Sequence, residues 1–444
     1  MKIARIGAMY YPYPPLDYGG TERSMSQLTY FQAMAGHDVT LYGPSNSTIV
    51  QEMAEIAHKY GFHTEFGLGQ SSVVLSRDGV RQGSVALRTT GYEDTTKTKE
   101  PVKLRTAELV ELLLDDADAA GYDLIHCHYA PSMRRIIEAG YGEMTICQLH
   151  NPDPNQDFNE CPFPIMAISD HQALDLKLRY QAEIIGVAHH GLDRFNYDPT
   201  AENAGYLASI SRIDRDKGQD LSIASARLAR KPLIIAGQTT SSALHEDFYF
   251  TNEIKPYIDI CDTTFLTRHA DSSPVEIRAE LDHLAARLGK PNVVIFVGPA
   301  NEQQKQVLYG NALATMFPIR WPEPFGRVMI ESMACGTPVI GNEVYQGVVC
   351  GAVHEVIDDY LSGIKVSAGN DQDAIVKLAE AIKAAENLDR FQVRDVFERR
   401  WTSEANAARI EELYNKFFAD RQRERFLSQS TVFDQDGYSS PAVA

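Results

Sequence analysis

The stretch that decides the fold runs from Glu323 to Ile340 and reads EPFGRVMIESMACGTPVI. It predicts a loop, a helix that begins near Phe325, and a short buried strand. Two carboxylates stand eight residues apart, so Glu323 lies in the loop and Glu331 lies about two turns along the helix. The N–H groups at a helix start bind anions, and a carboxylate accepts hydrogen bonds from sugar or ribose hydroxyls. A solvated acidic helix face is the alternative, although the Met-Ile pair before Glu331 does not suit it.

Short apolar strands alternate with helices on both sides of this stretch. In the first half, Ile3–Met9 predicts a strand, a helix begins near Thr21, and Val39–Tyr42 predicts the next strand. In the second half, AGYLASIS, KPLIIAG and NVVIFVG predict strands of the same kind. Such runs are typical of parallel strands covered on both faces. The polar, turn-rich segment 195–205 is the predicted linker. The predicted fold class is therefore α/β, with two doubly wound domains facing a central cleft.

Three further features point toward a phosphate or sugar ligand. Arg212 and Lys217 lie between a strand and a helix in SISRIDRDKGQDL, where two cations can neutralise a diphosphate and stabilise it as it leaves. Gly19 and Gly20 let the backbone approach a ligand closely. His150 ends a strand, and strand ends face the cleft in such sheets. Taken alone, each feature has a commoner explanation: a solvated basic pair, a turn and a structural histidine.

The segment from Glu323 to Ile340 resembles the E-x7-E motif of retaining glycosyltransferases of family 4, which have the GT-B fold, built from two Rossmann-like domains. The resemblance covers most of residues 1–420. It implies that Glu323 contacts the hydroxyls of the donor sugar and that Glu331 binds the nucleotide ribose. It also implies that the sugar and diphosphate lie near the backbone of Phe325, Gly326 and Arg327.

The other motifs resemble the same family. Arg212 and Lys217 match its phosphate-binding G-R-x-x-x-x-K-G element, except that Ser211 replaces the glycine. The GGTER segment resembles the glycine loop that reaches across the cleft to the diphosphate. The resemblance also implies that His150 sits beside the transferred sugar, near the reaction centre.

Metal binding is not expected. His126 and His128 flank Cys127 and point to one face of their strand. With His150 they suggest a zinc site, but no acidic or cysteine ligand follows at a typical spacing. We therefore expect these histidines to line the cleft or contact the acceptor. The D-x-D sequence that begins at Asp116 is interpreted as a solvated helix end. Neither a metal nor a cofactor is expected.

The resemblance implies an enzyme that transfers a sugar, expected to be a hexose, from a nucleoside-diphosphate sugar with retention of configuration. UDP is favoured by its frequency in the family, with GDP and ADP behind it. The acceptor is a small molecule, a lipid or a glycan, and neither its identity nor the oligomeric state is decided. Two alternatives stay open. One is another enzyme of this architecture, such as a nucleotide-sugar epimerase or a phosphorylase; the other is a non-catalytic nucleotide-sugar-binding protein.

The patterns and the resemblance together divide the chain into consecutive parts. The helical insertion contains a capping box, with Ser273 and Glu276 at the required spacing. The predicted parts are a first, acceptor-side domain at 1–195, a nucleotide-sugar-binding domain at 206–390 with the insertion at about 238–290, C-terminal helices at 391–426 that pack back on the first domain, and a flexible tail at 427–444.

Composition limits the partners. The formal net charge of −18 argues against nucleic acid and against broad attachment to an anionic membrane, although it leaves peripheral membrane contact open. The sequence contains neither a signal-peptide pattern nor an apolar run of the length that a membrane span needs. The six cysteines are scattered and form no C-x-x-C pair. A reducing compartment, the cytoplasm, is therefore expected.

Overall fold

The first half of the chain builds one large sheet. The computed structural model describes residues 1–15, 19–92, 99–155, 157–239 and 248–435. Within these ranges the sheet has nine strands: β1 (Lys2–Ile6), β2 (Asp38–Tyr42), β3 (His63–Phe66), β4 (Ser72–Arg77), β5 (Val80–Arg88), β6 (Leu124–Cys127), β7 (Thr145–Gln148), β8 (Ile165–Ala167) and β9 (Ile184–Val187). Their order is β3-β4-β5-β2-β1-β6-β7-β8-β9, and the sheet is parallel except where β4 pairs with β3 and β5.

Helices connect these strands. They are α1 (Gly20–Met34), α2 (Ile49–Lys59), α3 (Lys99–Ala120), α4 (Met133–Ile136) and α5 (Asp170–Tyr180). Short 3₁₀ or π turns lie at Leu68–Gln70, Ala130–Ser132, Ile137–Tyr141 and Gly142–Met144. The antiparallel hairpin of β4 and β5 was not predicted. Its turn is Asp78-Gly79, and both residues have positive φ. Asp-Gly is a favoured hairpin turn, so the signal was present in the sequence.

The second half builds a second sheet with eight strands in the described ranges. Its strands are β10 (Tyr206–Ile210), β11 (Leu233–Ala236), β12 (Ile260–Cys261), β13 (Val294–Gly298), β14 (Ala312–Phe317), β15 (Val339–Tyr345), β16 (Val348–Val349) and β17 (Gly363–Ala368). Their order is β12-β13-β11-β10-β14-β15-β16, and β17 also pairs with β15. Only the β15–β16 pairing in this set is antiparallel. The predicted α/β class with two sheets is confirmed.

The helices of the second half are α6 (Gln219–Ala229), α7 (Phe265–Arg268), α8 (Pro274–Leu288), α9 (Glu302–Gly310), α10 (Arg327–Ala334), α11 (Val353–Val356), α12 (Asp371–Ala385), α13 (Arg390–Arg400) and α14 (Ser403–Gln435). Short turns lie at Arg215–Lys217, Phe250–Ile254 and Lys255–Tyr257. Helix α8 has the predicted capping box. The insertion also adds strand β12 to the sheet edge, and its residues 240–247 lie outside the described ranges.

The C-terminal helices divide between the two halves. The apolar side chains of α13, including Val393 and Phe397, belong to the core of the second sheet, whereas Leu413 and Tyr414 of α14 belong to the core of the first. The crossing therefore lies between α13 and α14, and the prediction that the helices from residue 391 onward pack on the first domain is wrong for α13. Helix α14 passes through the start of the predicted tail and ends at Gln435. Residues 436–444 lie outside the described ranges.

The carboxyl ends of the parallel strands position the candidate site, as expected for doubly wound sheets. His150 follows β7 and Arg212 follows β10, while Trp321 and Glu323 follow β14. Among the described residues, no helix is both long and apolar enough to cross a membrane.

Candidate active site

A cleft of about 500 Å³ lies between the two sheets and takes residues from both. Its lining includes all of the predicted site residues. They are Gly19, Gly20, His150, Arg212, Lys217, Glu323, Phe325, Gly326, Arg327 and Glu331. The fold thus brings together residues as far apart in the chain as Gly19 and Glu331. Their individual roles stay predictions.

Lys217 and Glu323 form an ion pair that is largely shielded from solvent. The Lys217 ammonium contacts Glu323 Oε2, and the two side chains are 13% and 14% exposed. The indole N–H of Trp321 donates to the same oxygen at 2.9 Å, and Lys217 Nζ lies 4.8 Å from the centre of the indole ring. The cation expected to receive phosphate charge is therefore already paired with the carboxylate expected to hold the sugar. Trp321 was not predicted as a site residue. The sequence feature that could have indicated it is an aromatic residue two positions before Glu323.

The backbone of Glu323 packs directly against Gly351. A Cβ atom on Gly351 would lie 1.9 Å from the Glu323 carbonyl oxygen, and Gly351 has a φ of +64°. The next residue, Ala352, donates its N–H to that oxygen at 3.0 Å. A larger residue at position 351 would displace the loop, so glycine is required there.

Glu331 is buried, which excludes a solvated acidic helix face. Its side chain is 4% exposed. Oε2 accepts a hydrogen bond from the Tyr309 hydroxyl at 3.1 Å and lies 3.3 Å from Lys305 Nζ. Oε1 lies 3.9 Å from Arg327 Nε, one helical turn earlier on α10. Because a buried carboxylate without partners is costly, these contacts offset the burial of Glu331 at the cleft wall.

The Arg327 side chain bridges the two halves of the protein. Its Nη1 donates to Ser24 Oγ of α1 at 2.8 Å and to the Gly191 carbonyl at 3.4 Å. A Cβ atom on Gly20 would lie 3.7 Å from Arg327 Cδ, so the glycine loop touches the second domain. Arg327 Nη2 is buried without a hydrogen-bond partner among the described residues. Only the backbone of Arg327 was predicted to matter.

Arg212 lies at the more open side of the cleft, with 45% of its side chain exposed and Asp214 at 3.3 Å. Ser211, which departs from the family motif, is held by Gln219. The Gln219 amide donates to Ser211 Oγ at 2.7 Å and to the Arg212 carbonyl at 2.9 Å. The serine is therefore accommodated by a side-chain hydrogen bond, and both cations stay at the cleft.

His150 lies between two other histidines. Its Nε2 is 2.8 Å from His128 Nδ1, and its Nδ1 is 3.4 Å from His190 Nε2. Burial, with a smaller contribution from Arg327, lowers the pKa of His150 to about 3. His190 lines the cleft and was not predicted. His126 and His128 are buried and are absent from the cleft lining, so the expectation that they line it is wrong.

Two acidic groups resemble metal sites but have other partners. Asp116 of the D-x-D sequence accepts two hydrogen bonds from Arg88, at 2.8 and 2.7 Å, while Asp118 is exposed, in line with its interpretation as a solvated helix end. Asp170, His189 and Glu355 place ligand atoms close together. Glu355 accepts from two backbone N–H groups at the start of α5 and lies 2.9 Å from His189 Nε2. It is therefore an interdomain cap of that helix.

Residues 196–394 match the model of the glycosyl transferases group 1 family. The second half of the chain is therefore similar to the group 1 glycosyl transferases. The match includes the two acidic residues of the motif and both cations, and it covers most of the second half of the chain. The first half, with the glycine loop and His150, lies outside it.

Curated relatives of this chain include the D-inositol 3-phosphate glycosyltransferase of Mycolicibacterium vanbaalenii. It is 23% identical in a match that covers 59% of this chain and 60% of that protein. A second relative with that name, from Catenulispora acidiphila, is 31% identical over 33% of each chain. The chain thus matches 60% or less of the length of these relatives.

Solved structures establish the fold of the whole chain. Sucrose-phosphate synthase from Thermosynechococcus elongatus has a TM-score of 0.61 at 18% identity, covering 95% of this chain and 100% of that one. HepE from Anabaena in complex with UDP has a TM-score of 0.55 at 18% identity, covering 93% and 99%. The predicted GT-B fold is confirmed.

Glu302 of the second half forms an ion pair with Arg23 of the first half. It lies 3.3 Å from Arg23 Nη2 and 3.0 Å from Lys305 Nζ. Burial raises its pKa, but Lys305 and Arg23 outweigh burial and lower the pKa to about 2. A carboxyl with a depressed folded-state pKa stabilises the protein above its unfolded pKa of 4.5, and this contribution is lost as the pH falls toward 2. Glu302→Gln should remove up to about 3 kcal/mol of that pH-dependent stability.

The measurement is the unfolding free energy of wild type and Glu302→Gln by urea titration between pH 6 and about pH 3. We expect the difference between the two proteins to shrink as the pH falls. Glu65→Gln, on the exposed side of edge strand β3, is the matched control and should follow the wild type. A constant difference at all pH values would contradict the depressed pKa.

Proposed function

We propose that this protein is an enzyme that transfers a sugar, with retention of configuration, from a nucleoside-diphosphate sugar to an acceptor. The observation that carries the proposal is the meeting of the acidic motif, the two cations, the glycine loop and His150 in one cleft. The match of the second half to the group 1 glycosyl transferases supports it. In the proposed complex, Glu323 holds the donor sugar hydroxyls and Glu331 holds the ribose.

The charges of the cleft suit the departure of a diphosphate. Glycosyl transfer passes through an oxocarbenium-like transition state, and negative charge grows on the leaving phosphate. Lys217 and Arg212 are placed to stabilise that charge, together with the N–H groups at the start of α1, including that of Gly20. We expect Lys217 to exchange part of its contact with Glu323 for the phosphate. Both motif carboxylates already have cationic partners, which favours direct attack by the acceptor on the donor face from which the diphosphate leaves.

UDP is the proposed nucleotide, and a hexose such as glucose is the proposed sugar. HepE, which has the same fold, has been solved with UDP and with UDP-glucose. The acceptor is an unidentified small molecule, lipid or glycan. Curated relatives are named for D-inositol 3-phosphate, so this cyclic polyol phosphate is one compound to test as acceptor. We propose that protein cations replace a divalent metal and that no cofactor is needed.

Incubation of UDP-glucose with and without candidate acceptors separates the classes of function. A glycosyltransferase releases UDP and makes a glycoside when the acceptor is present. An epimerase converts the donor without any acceptor. A binding protein shifts in melting temperature with UDP-glucose but leaves the UDP-glucose intact. Such a protein would have no need of cations that stabilise a leaving group.

The ribose role of Glu331 predicts a loss of nucleotide affinity in Glu331→Gln. A hydrogen bond to a charged group contributes about 1.5–3 kcal/mol, so the affinity for UDP should fall by about tenfold or more. Isothermal titration calorimetry is the measurement. The control is Glu65→Gln, because Glu65 is exposed on edge strand β3 and is absent from the cleft lining. Equal UDP affinity in Glu331→Gln and wild type would disprove the role.

The leaving-group role of the cations predicts that Arg212→Ala and Lys217→Ala lower kcat more than they raise the donor KM. Charge on the leaving phosphate is largest in the transition state, and losing one such donor costs about a hundredfold or more in kcat. Arg215→Ala is the matched control, since Arg215 lies in the same turn but pairs with Glu253 at 2.7 Å. Normal kcat with a raised KM in both variants would contradict this role.

Metal independence predicts that transfer continues in EDTA at the wild-type rate, because Lys217 and Arg212 stabilise the diphosphate. The rate is measured as UDP release, before and after dialysis against EDTA. Adding Mg²⁺ or Mn²⁺ back should not increase it. Loss of activity in EDTA that is restored by Mn²⁺ would show that a metal is required.

A further inference from the structure

Four histidines, of which His126, His128 and His190 are buried and His150 is partly exposed, form a line from the C-terminal helix to the cleft. His126 of β6 and His128, just after β6, have ring centres 4.1 Å apart. His128 Nδ1 lies 2.8 Å from His150 Nε2, and His150 Nδ1 lies 3.4 Å from His190 Nε2. At the other end, the Tyr414 hydroxyl of α14 lies 2.6 Å from His126 Nδ1. The proposed function uses only His150 of this line.

A buried cation orients the Tyr414 end. Arg5 of β1 has no exposed surface, and its guanidinium donates to Thr29 Oγ1 and Gln32 Oε1. It also interacts with the Tyr414 hydroxyl. Arg5 can only donate, and a positive charge near the Tyr414 hydroxyl favours an O–H that points away from it, toward His126 Nδ1 at 2.6 Å. His126 therefore carries its own proton on Nε2.

The histidines are neutral. Burial lowers the pKa of His150 to about 3 and those of His126, His128 and His190 well below the ordinary value. The positive charges of Arg5 and Arg327 act in the same direction. A neutral imidazole donates through one nitrogen and accepts through the other. The hydrogen bonds of the line therefore run in one of two opposite directions.

The unpaired nitrogens distinguish these directions. His126 Nε2 and His128 Nε2 are both buried without a hydrogen-bond partner. A proton on His128 Nε2 would leave two unpaired N–H donors on adjacent rings. A proton on His128 Nδ1 instead leaves an acceptor beside the His126 donor. The second arrangement is favoured, because unpaired buried N–H groups are rarer in proteins than underused acceptors.

We propose that His126, His128 and Tyr414 are positioning residues that hold His150 as the tautomer with its proton on Nδ1. His128 Nδ1–H donates to His150 Nε2, and His150 Nδ1–H donates to His190 Nε2. The cleft histidines then present a fixed pattern of donors and acceptors to the substrate. The catalytic consequence rests on the proposed function, whereas the tautomer itself does not.

The first test measures the tautomer in the full-length protein labelled with ¹⁵N-histidine. A long-range ¹H–¹⁵N correlation spectrum distinguishes protonated from bare ring nitrogens, and the signals that disappear in His150→Gln give the assignment. We expect Nδ1 of His150 to be protonated and Nε2 to be bare. Protonation of Nε2 instead would overturn the proposal, whether or not the protein transfers sugar.

The second test is Tyr414→Phe, which removes one hydroxyl and keeps the ring. We expect the His150 signals to shift toward a mixture of tautomers, and kcat to fall about tenfold with the Kd for UDP unchanged. Phe417→Leu, a core substitution on the same helix, should leave the His150 signals and kcat as in wild type. An unchanged His150 spectrum in Tyr414→Phe would also overturn the proposal. If Tyr414→Phe does not fold, the wild-type spectrum decides. If the spectra are as expected but the protein turns over no donor, the proposed function is disproved and the tautomer proposal is not.

Discussion

Paired charges buried between the two halves are the interaction on which the candidate site depends. Arg23 of the first half contacts Glu302 of the second half, and Lys305 contacts both Glu302 and Glu331. Arg327 of the second half donates a hydrogen bond to the first half. Removing one partner from such a set leaves an uncompensated charge away from water, which is costly. The network therefore joins the two halves at this depth of the cleft and gives Glu331 partners at the cleft wall.

The same principle explains the state of the cleft itself. Lys217 and Glu323 are partly enclosed and neutralise one another, with Trp321 contacting both. A ligand that offers hydroxyls to the carboxylate and phosphate to the ammonium can replace this pair, because the carboxylate then accepts hydrogen bonds and the ammonium contacts an anion. A nucleoside-diphosphate sugar has both groups in one molecule. This complementarity connects the fold to the proposed chemistry.

The histidine line shows a second use of the protein interior. Arg5 is buried without a carboxylate among its hydrogen-bond partners in the described residues. In the proposal above, its charge orients the Tyr414 hydroxyl, and the histidines extend this order to His150 at the cleft. Helix α14 supplies Tyr414 to that line. The helix thus contributes more than apolar packing to the first domain.

The sequence alone determined the α/β class, the GT-B fold and the set of residues that meet in the cleft. These features are encoded locally, as the alternation of strands and helices and as motifs such as Glu323 to Glu331. The Asp78-Gly79 hairpin was also encoded locally but was overlooked. Tertiary structure alone decided the pairing of Lys217 with Glu323, the roles of Gly351 and His190, and the burial of His126 below the cleft. These depend on contacts between residues far apart in the chain, such as the 106 positions between Lys217 and Glu323. No local pattern records which distant side chains the packing of two sheets will bring together.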